Sequence, residues 1–166
     1  VPYFTNFLST DFDSAFIIIT HASLMNEAQC YGTYRNSTNG GPHNTVVVDV
    51  DELYDQFAYG IHKNPLAIRN FCEFAYDTAT VPPRNLFLIG KGVQTEVCRN
   101  SVNGPSYLTN YADNLVPSWG YPPSDNLITA GLNGTLLQAL IPTGRLATKN
   151  PQDVWNYLGK VIAYES

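Results

Sequence analysis

The run AFIIIT at positions 15–20, followed by HASLMNEA at 21–28 and TVVVDV at 45–50, decides the fold. Each outer run is uncharged over most of its length and rich in β-branched residues, the pattern of a strand that a parallel sheet buries on both faces. A helix beginning at His21 separates them, which makes a β-α-β unit with a right-handed crossover. The polar stretch GTYRNSTNGGPHN (32–44) reads as an exposed loop leading into the second strand.

Downstream, DELYDQF (51–57) is a short helical turn, and a longer helix is announced by Asn64-Pro65. Asn accepts free amide hydrogens at a helix start, and Pro suits the first helical position because its missing donor would be unpaired anyway. Ile68, Phe71, Cys72 and Ala75 then fall at i, i+3, i+4 and i+7 and give that helix one apolar face. VPPRN (81–85) breaks it, and NLFLIG (85–90) is a third buried strand.

From Lys91 to Ser124 the composition shifts to Gly, Asn, Ser, Pro and Tyr, a long connection draped over the surface. NLITA (126–130) and LLQALIPTGRL (136–146) read as strands around the turn Leu132-Asn133-Gly134. The closing helix has Asn150 as cap, Pro151 at its first position and an apolar stripe of Val154, Leu158, Val161 and Ile162. The order predicts one α/β domain over residues 1–166: a three-layer sandwich, Rossmann-like, with a mostly parallel sheet, flanking helices and a hairpin near the end.

Composition narrows the class. With 166 residues, 44% hydrophobic and 14% charged, the chain buries one core. Eleven Tyr and few Lys lean toward a surface or secreted protein. A net charge of -5 and a pI near 4.9 repel phosphate backbones, so nucleic acid is excluded as a partner. No apolar run approaches the ~20 residues of a membrane span. The opening VPYFTNFLSTDFDS has neither Lys nor Arg and does not read as a signal peptide, so the expectation is a cytoplasmic protein or a piece of a longer secreted one.

Cys30, Cys72 and Cys98 are too few and too scattered for a disulfide framework or a zinc site. Cys72 belongs to the apolar helix face, and one bridge between Cys30 and Cys98 stays open. A cysteine nucleophile needs a histidine beside it; of His21, His43 and His62, His21 is the best placed, just past a strand's C-terminal end. No cysteine has a matching place.

VVVDVDE (46–52) invites a phosphoacceptor site at Asp49 or Asp51 with Lys149, but the acidic pair such a site needs after the first strand is THAS here. Helix-start acids are the simpler reading. GKG (90–92) is too short for a phosphate loop and reads as a tight turn. Asn36-Ser-Thr and Asn133-Gly-Thr match the glycosylation sequon, which chance also produces. Asp125, between PPS and NLITA, is expected to cap a turn, with binding of a cation beside the loop carbonyls as the other option. Trp119, in the Tyr-rich stretch from Tyr107 to Tyr121, either anchors a partner or packs under its own loop.

As a set, VVVDVDELYDQFAYG (46–60), NPLAIRNF (64–71), the strand LFLIG, VPSWGYPPSDNLITA (116–130) and IPTGRLATKNPQDVWNYLGKVIAYE (141–165) resemble the N-terminal subdomain of the gingipain-like cysteine peptidases. The similarity is to the branch that includes the type IX secretion signal peptidases of Bacteroidetes. Its most specific elements are LYDQFAYG to AIRNF, Ser124-Asp125, and Gly144-Arg145 followed by a helix ending in Tyr164-Glu165. The resemblance implies a caspase-like fold of two adjacent subdomains, with the catalytic Cys and His in the second.

On that reading the chain is the first subdomain and lacks the dyad. Its partners are the second subdomain of the same polypeptide and a protein or peptide substrate, and its location is secreted or surface. The resemblance transfers no catalytic residue, and leaves Asp125, Trp119 and Arg145 with a role in a cleft or turn. Many relatives have an acid after the Gly where this chain has Lys91, which weakens any calcium site built there. The competing reading is a stand-alone α/β interaction module that binds through the Tyr-rich loop.

Overall fold

The computed structural model describes residues 4–99 and 106–166. Four parallel strands lie in the order β2-β1-β3-β4: β1 Phe16–Thr20, β2 Thr45–Asp49, β3 Asn85–Ile89 and β4 Thr143–Leu146. The first three are each one residue shorter than the sequence predicts. All five residues of β1 are buried, as the central strand of a sheet covered on both faces must be.

The helices are α1 Met25–Asn36, α2 Val50–Phe57, α3 Pro65–Thr78, α4 Thr95–Arg99, α5 Ser106–Asp113, α6 Asn126–Thr129 and α7 Pro151–Glu165. On one face α1 and α7 pack side by side, with Tyr157 stacked on Phe87 and Tyr31 tilted against it, their ring centres 5.7 and 5.1 Å from its own. Helices α2, α3 and α6 pack together on the other. There Phe71 of α3 meets Phe7, Phe12 and Phe57 at 5.1–5.7 Å, edge to face, geometry that adds to the burial of the rings themselves. Asn64 Oδ1 accepts the Leu66 amide at 3.1 Å and Asn150 Oδ1 the Gln152 amide at 3.0 Å, so both expected caps form. Cys72 is fully buried on α3, as its spacing implies.

Several expectations give way. Helix α1 follows a 3-10 turn over Ala22–Leu24 and runs to Asn36, through the first part of the stretch expected to be loop. At Gly32 a Cβ would meet Val47 Cγ2 at 3.0 Å and Ile18 Cδ1 at 3.4 Å, so glycine is what lets α1 sit close to β1 and β2. NLITA is not a strand. Residues Asn126–Thr129 form α6, and the expected hairpin shrinks to one antiparallel bridge between Ala130 and Ala139 around a 3-10 turn at Leu132–Gly134. Beyond that bridge, Thr143–Leu146 is the part of the run at 136–146 that forms a strand, and it pairs parallel with β3. The Lys91 to Ser124 connection holds α4 and α5. All three cysteines are thiols, with Cys30 exposed on α1 and Cys98 buried in α4, so no bridge joins them.

Candidate functional site

Because the strands are parallel, their C-terminal ends share one crest. The chain leaves β1 for β2 on one side and returns to β3 on the other, and at such a reversal an open α/β sheet leaves the crevice where ligands bind. Under it, the buried Thr20 hydroxyl donates to the Ile89 carbonyl at 2.9 Å and ties the ends of β1 and β3.

His21, Asp51 and His62 gather over the β1–β2 side. His21 Nδ1 accepts the Ser23 amide at 3.1 Å, so in the neutral ring Nε2 carries the hydrogen and faces Asp51 Oδ2 at 3.8 Å. His62 Nδ1 stands 3.9 Å from the other oxygen of Asp51. Neither imidazole is hydrogen-bonded to a thiol among the described residues. Cys98 donates to the Thr95 carbonyl and accepts from Asn114 Nδ2, both at 3.4 Å. Burial pushes the Cys72 thiol up to about 12, the opposite of what a nucleophile needs. The best-placed histidine therefore faces a carboxylate and is not part of a Cys-His dyad among the described residues.

Asp49 caps α2, accepting the Asp51 amide at 3.0 Å, and burial raises its carboxyl above the usual range. Lys149 turns to Asp113, at 2.5 Å, and not to these acids. The helix-start reading accounts for Asp49 and Asp51, and among the described residues Lys149 does not join them in a phosphoacceptor arrangement. Among the described residues no three His, Cys, Asp or Glu side chains come close enough to hold a metal ion.

Asp125 and Arg145, singled out by their motifs, are brought together. Arg145 Nε and Nη2 donate to the two Asp125 oxygens at 2.7 and 2.8 Å, a two-pronged pair. The same guanidinium gives Nη1 to the carbonyls of Gly90 and Val116, at 2.8 and 2.7 Å. Asp125 makes no side-chain cap at α6, so its expected turn-capping role is replaced by this ion pair. Trp119 is half-buried against the core, with the Arg69 guanidinium 6.0 Å from its ring. It packs under the loop. Lys91, the departure from the family pattern, lies 2.8 Å from Asp113, and the hydrogen bonds of Lys149 and Lys91 hold this carboxyl below its ordinary range.

One feature of the crest is only half announced by the sequence, through the Tyr-rich stretch that begins at Tyr107. Between the α2–α3 connection and α4–α5 lies a groove of about 670 Å³, walled by Ile61, Leu108, Tyr107 and Tyr111, with His62, Cys98 and Arg99 completing it. Its residues come from segments about 40 apart in sequence, with no shared motif or period.

The parallel sheet with helices on both faces, a groove at its C-terminal crest and a two-pronged arginine clamp beside it define an open α/β domain. The model of peptidase family C25, the gingipain family of cysteine peptidases, matches residues 9–166, so the chain belongs to that family. Among solved structures it is similar to dimeric latent PorU from Porphyromonas gingivalis, with a TM-score of 0.71 at 18% identity. That match covers 93% of this chain and 16% of PorU. No curated protein matches the chain in sequence.

Proposed function

We propose that this chain is the N-terminal structural subdomain of a secreted or surface cysteine endopeptidase, on the type IX secretion branch of the family. The catalytic Cys and His belong to a second subdomain of the same polypeptide. What carries the reading is a family match over residues 9–166 in a chain whose described cysteines have no histidine partner. In such an enzyme the thiolate attacks a peptide carbonyl, the histidine protonates the leaving amine, and backbone amides hold the oxyanion. Water or an amine acceptor then takes the acyl group.

The open side of the sheet supports a missing neighbour. Leu86 N and Gly90 N bond to the carbonyls of Pro142 and Leu146, so the main-chain groups of Thr143 and Arg145, which alternate with these, face away from β3. No strand pairs with them among the described residues. Leu136 and Leu137, 92% and 83% exposed, stand in the loop before β4. An unpaired edge with apolar residues close by in sequence suits coverage by a second subdomain.

The test is to read the coding sequence beyond Ser166 and to assay both the encoded polypeptide and the 166-residue chain on peptide substrates. The reading expects a downstream stretch with a strand-terminal His-Gly and a Cys after a buried strand, turnover by the longer polypeptide, and none by the chain alone. Turnover by the 166 residues, lost on alkylating one of their three cysteines, overturns it. A stop codon after Ser166 instead moves the interaction-module reading to first place.

A further inference from the structure

The sheet has a second open edge, at β2. Phe16 N donates to the Asn44 carbonyl at 2.7 Å, and β1 pairs with β2 in the register that sets Phe16 beside Thr45. Val46 and Val48 therefore turn their main-chain groups to β1, while those of Thr45 and Val47 point outward. Among the described residues no strand meets them. From Thr45 to Val48 the strand holds no charged residue and no proline, and Thr45, Val46 and Val47 are only half-buried. Edges of monomers are usually blunted by charge or proline, because a bare edge is a template for another strand.

Beside this edge, on the α1 face, lies a groove of about 540 Å³ between Gln29, Thr33 and Asn36 of α1 and Thr45 and Val47 of β2. None of the residues that line it is charged, in a chain of net charge -5. Copies of an acidic chain repel one another over most of their surfaces, and a neutral edge is where that repulsion is least. The edge is also self-complementary. Turned antiparallel about a two-fold axis at Val47, β2 meets its own copy with Val47 opposite Val47 and Thr45 opposite Asp49. The outward groups of the two Val47 residues then exchange N–H···O bonds. The two Asp49 carboxylates stay at opposite ends of the pair, each facing a threonine hydroxyl.

We propose that β2 is the contact between two copies of this chain. The two sheets join edge to edge through an antiparallel pair of β2 strands centred on Val47, and Gln29, Thr33 and Asn36 of the two α1 helices close the groove above it. Such a contact is isologous, the same patch on both copies, as in the commonest oligomers. It goes beyond the peptidase reading and leaves β4, at the opposite edge of the sheet, to the second subdomain.

The experiment is sedimentation velocity on the intact polypeptide that contains this chain, over a range of concentrations, with hydrogen exchange read on the same samples. A reversible dimer is expected, and the Thr45 and Val47 amides should exchange about tenfold or more slowly in it than in the dilute monomer. Gln29 and Thr33 are exposed on α1, so Gln29→Lys with Thr33→Lys leaves the core untouched and sets like charges against each other across the axis. The pair is expected to weaken the dimer about tenfold or more, with added salt restoring part of the loss. Val47→Cys in a Cys30→Ser background is expected to cross-link the two copies under mild oxidant. Opposed residues of a hydrogen-bonded antiparallel pair have Cα atoms about 5.5 Å apart, within disulfide reach.

A monomer at every concentration overturns the contact. So does a dimer that ignores the lysines or fails to cross-link through Val47. Slow exchange at Thr45 and Val47 in a polypeptide that stays monomeric gives the edge to another segment of the same chain, and also overturns it. None of these readings involves turnover, so a polypeptide that dimerises in this way without cleaving peptides sinks only the peptidase reading.

Discussion

The two halves of the molecule are held by different physics. From Phe16 to Ile89 the chain is organised by burial: Ile17, Ile18 and Ile19 are fully enclosed, and Phe71 stands among three other rings. From Lys91 to Pro142, single cations gather carbonyls and acids. Arg145 collects Asp125, Gly90 and Val116, Arg69 Nη1 reaches the carbonyls of Leu127, Ile128 and Ala130, and Asp113 joins Lys91 to Lys149. Burial spreads its contribution over many residues, so a loss in the first half should be felt throughout it. A clamp concentrates it, and the second half should fail locally when one side chain goes.

The sharpest test sets Phe71→Ala beside Arg145→Met. Each is expected to cost about 3–5 kcal/mol, the first by opening a cavity and the second by leaving Asp125 and two carbonyls unpaired. Denaturant melts will not separate them. Hydrogen exchange will: Phe71→Ala should lower protection throughout the sheet, whereas Arg145→Met should first release amides between Lys91 and Asp125 while β1 keeps its protection. Uniform loss in both variants would mean that the two halves are one cooperative unit.

Gly90 marks the seam between the halves. Its φ is +148°, and a Cβ would lie 2.7 Å from Val116 Cγ2, inside any real contact. Gly90→Ala is expected to cost about 1–3 kcal/mol by overpacking and to displace the segment around Val116 more than β3. Unchanged stability would show that the second half moves aside freely.

How far the sequence speaks follows the same division. The three strands at 16–20, 45–49 and 85–89 and both Asn-Pro helix starts are legible, because an apolar run and a cap carry their cause within a few residues. The reach of helix α1 into 32–36 is not legible, because the polar composition there reads as loop, and only the packing against Val47 shows why glycine is at 32. NLITA has strand composition and folds as α6. Beside it the Thr129 hydroxyl donates to the Ile141 carbonyl at 2.9 Å, and Arg69 gathers neighbouring carbonyls, partners that are distant in sequence. Asp125 and Arg145 were marked by motif, but their pairing is a property of the fold, 20 residues apart. The groove shows in the sequence only as the Tyr-rich stretch that begins at Tyr107, because its other wall comes from the α2–α3 connection, distant in sequence.

Alkaline pH probes the burial half without a clamp. The Cys72 thiol, ordinarily near 9.0, is pushed up to about 12 by burial. Between those values the unfolded chain releases a proton that the folded chain keeps. The stability due to Cys72 is therefore full below about pH 9 and declines as pH rises toward 12, by up to about 1.4 kcal/mol per pH unit. Burial pushes Tyr31 and Tyr54 the same way, so Cys72→Ala should flatten the fall in urea midpoint between pH 9 and 10.5 without abolishing it. An identical slope in both proteins would show that the thiol reaches water.

The smallest effect belongs to a clamp that is placed at the surface, and it tests whether charge alone makes a clamp strong. Glu165, at the end of α7, accepts Arg35 Nη1 and the Tyr34 hydroxyl, each at 2.8 Å, and those bonds hold its carboxyl below the ordinary 4.5. It joins α7 to α1 much as Asp125 joins its loop to β4, but water reaches it. Exposed pairs of this kind contribute less than about 1 kcal/mol. A depressed carboxylate contributes its stability above the unfolded value and loses it as pH falls through the folded one. Glu165→Gln should therefore lower the melting temperature slightly at pH 7, and the difference should vanish as pH drops below the carboxylate range. A loss as large as that of Arg145→Met would mean that the α1–α7 contact depends on Glu165, and that the second kind of physics also governs the first half.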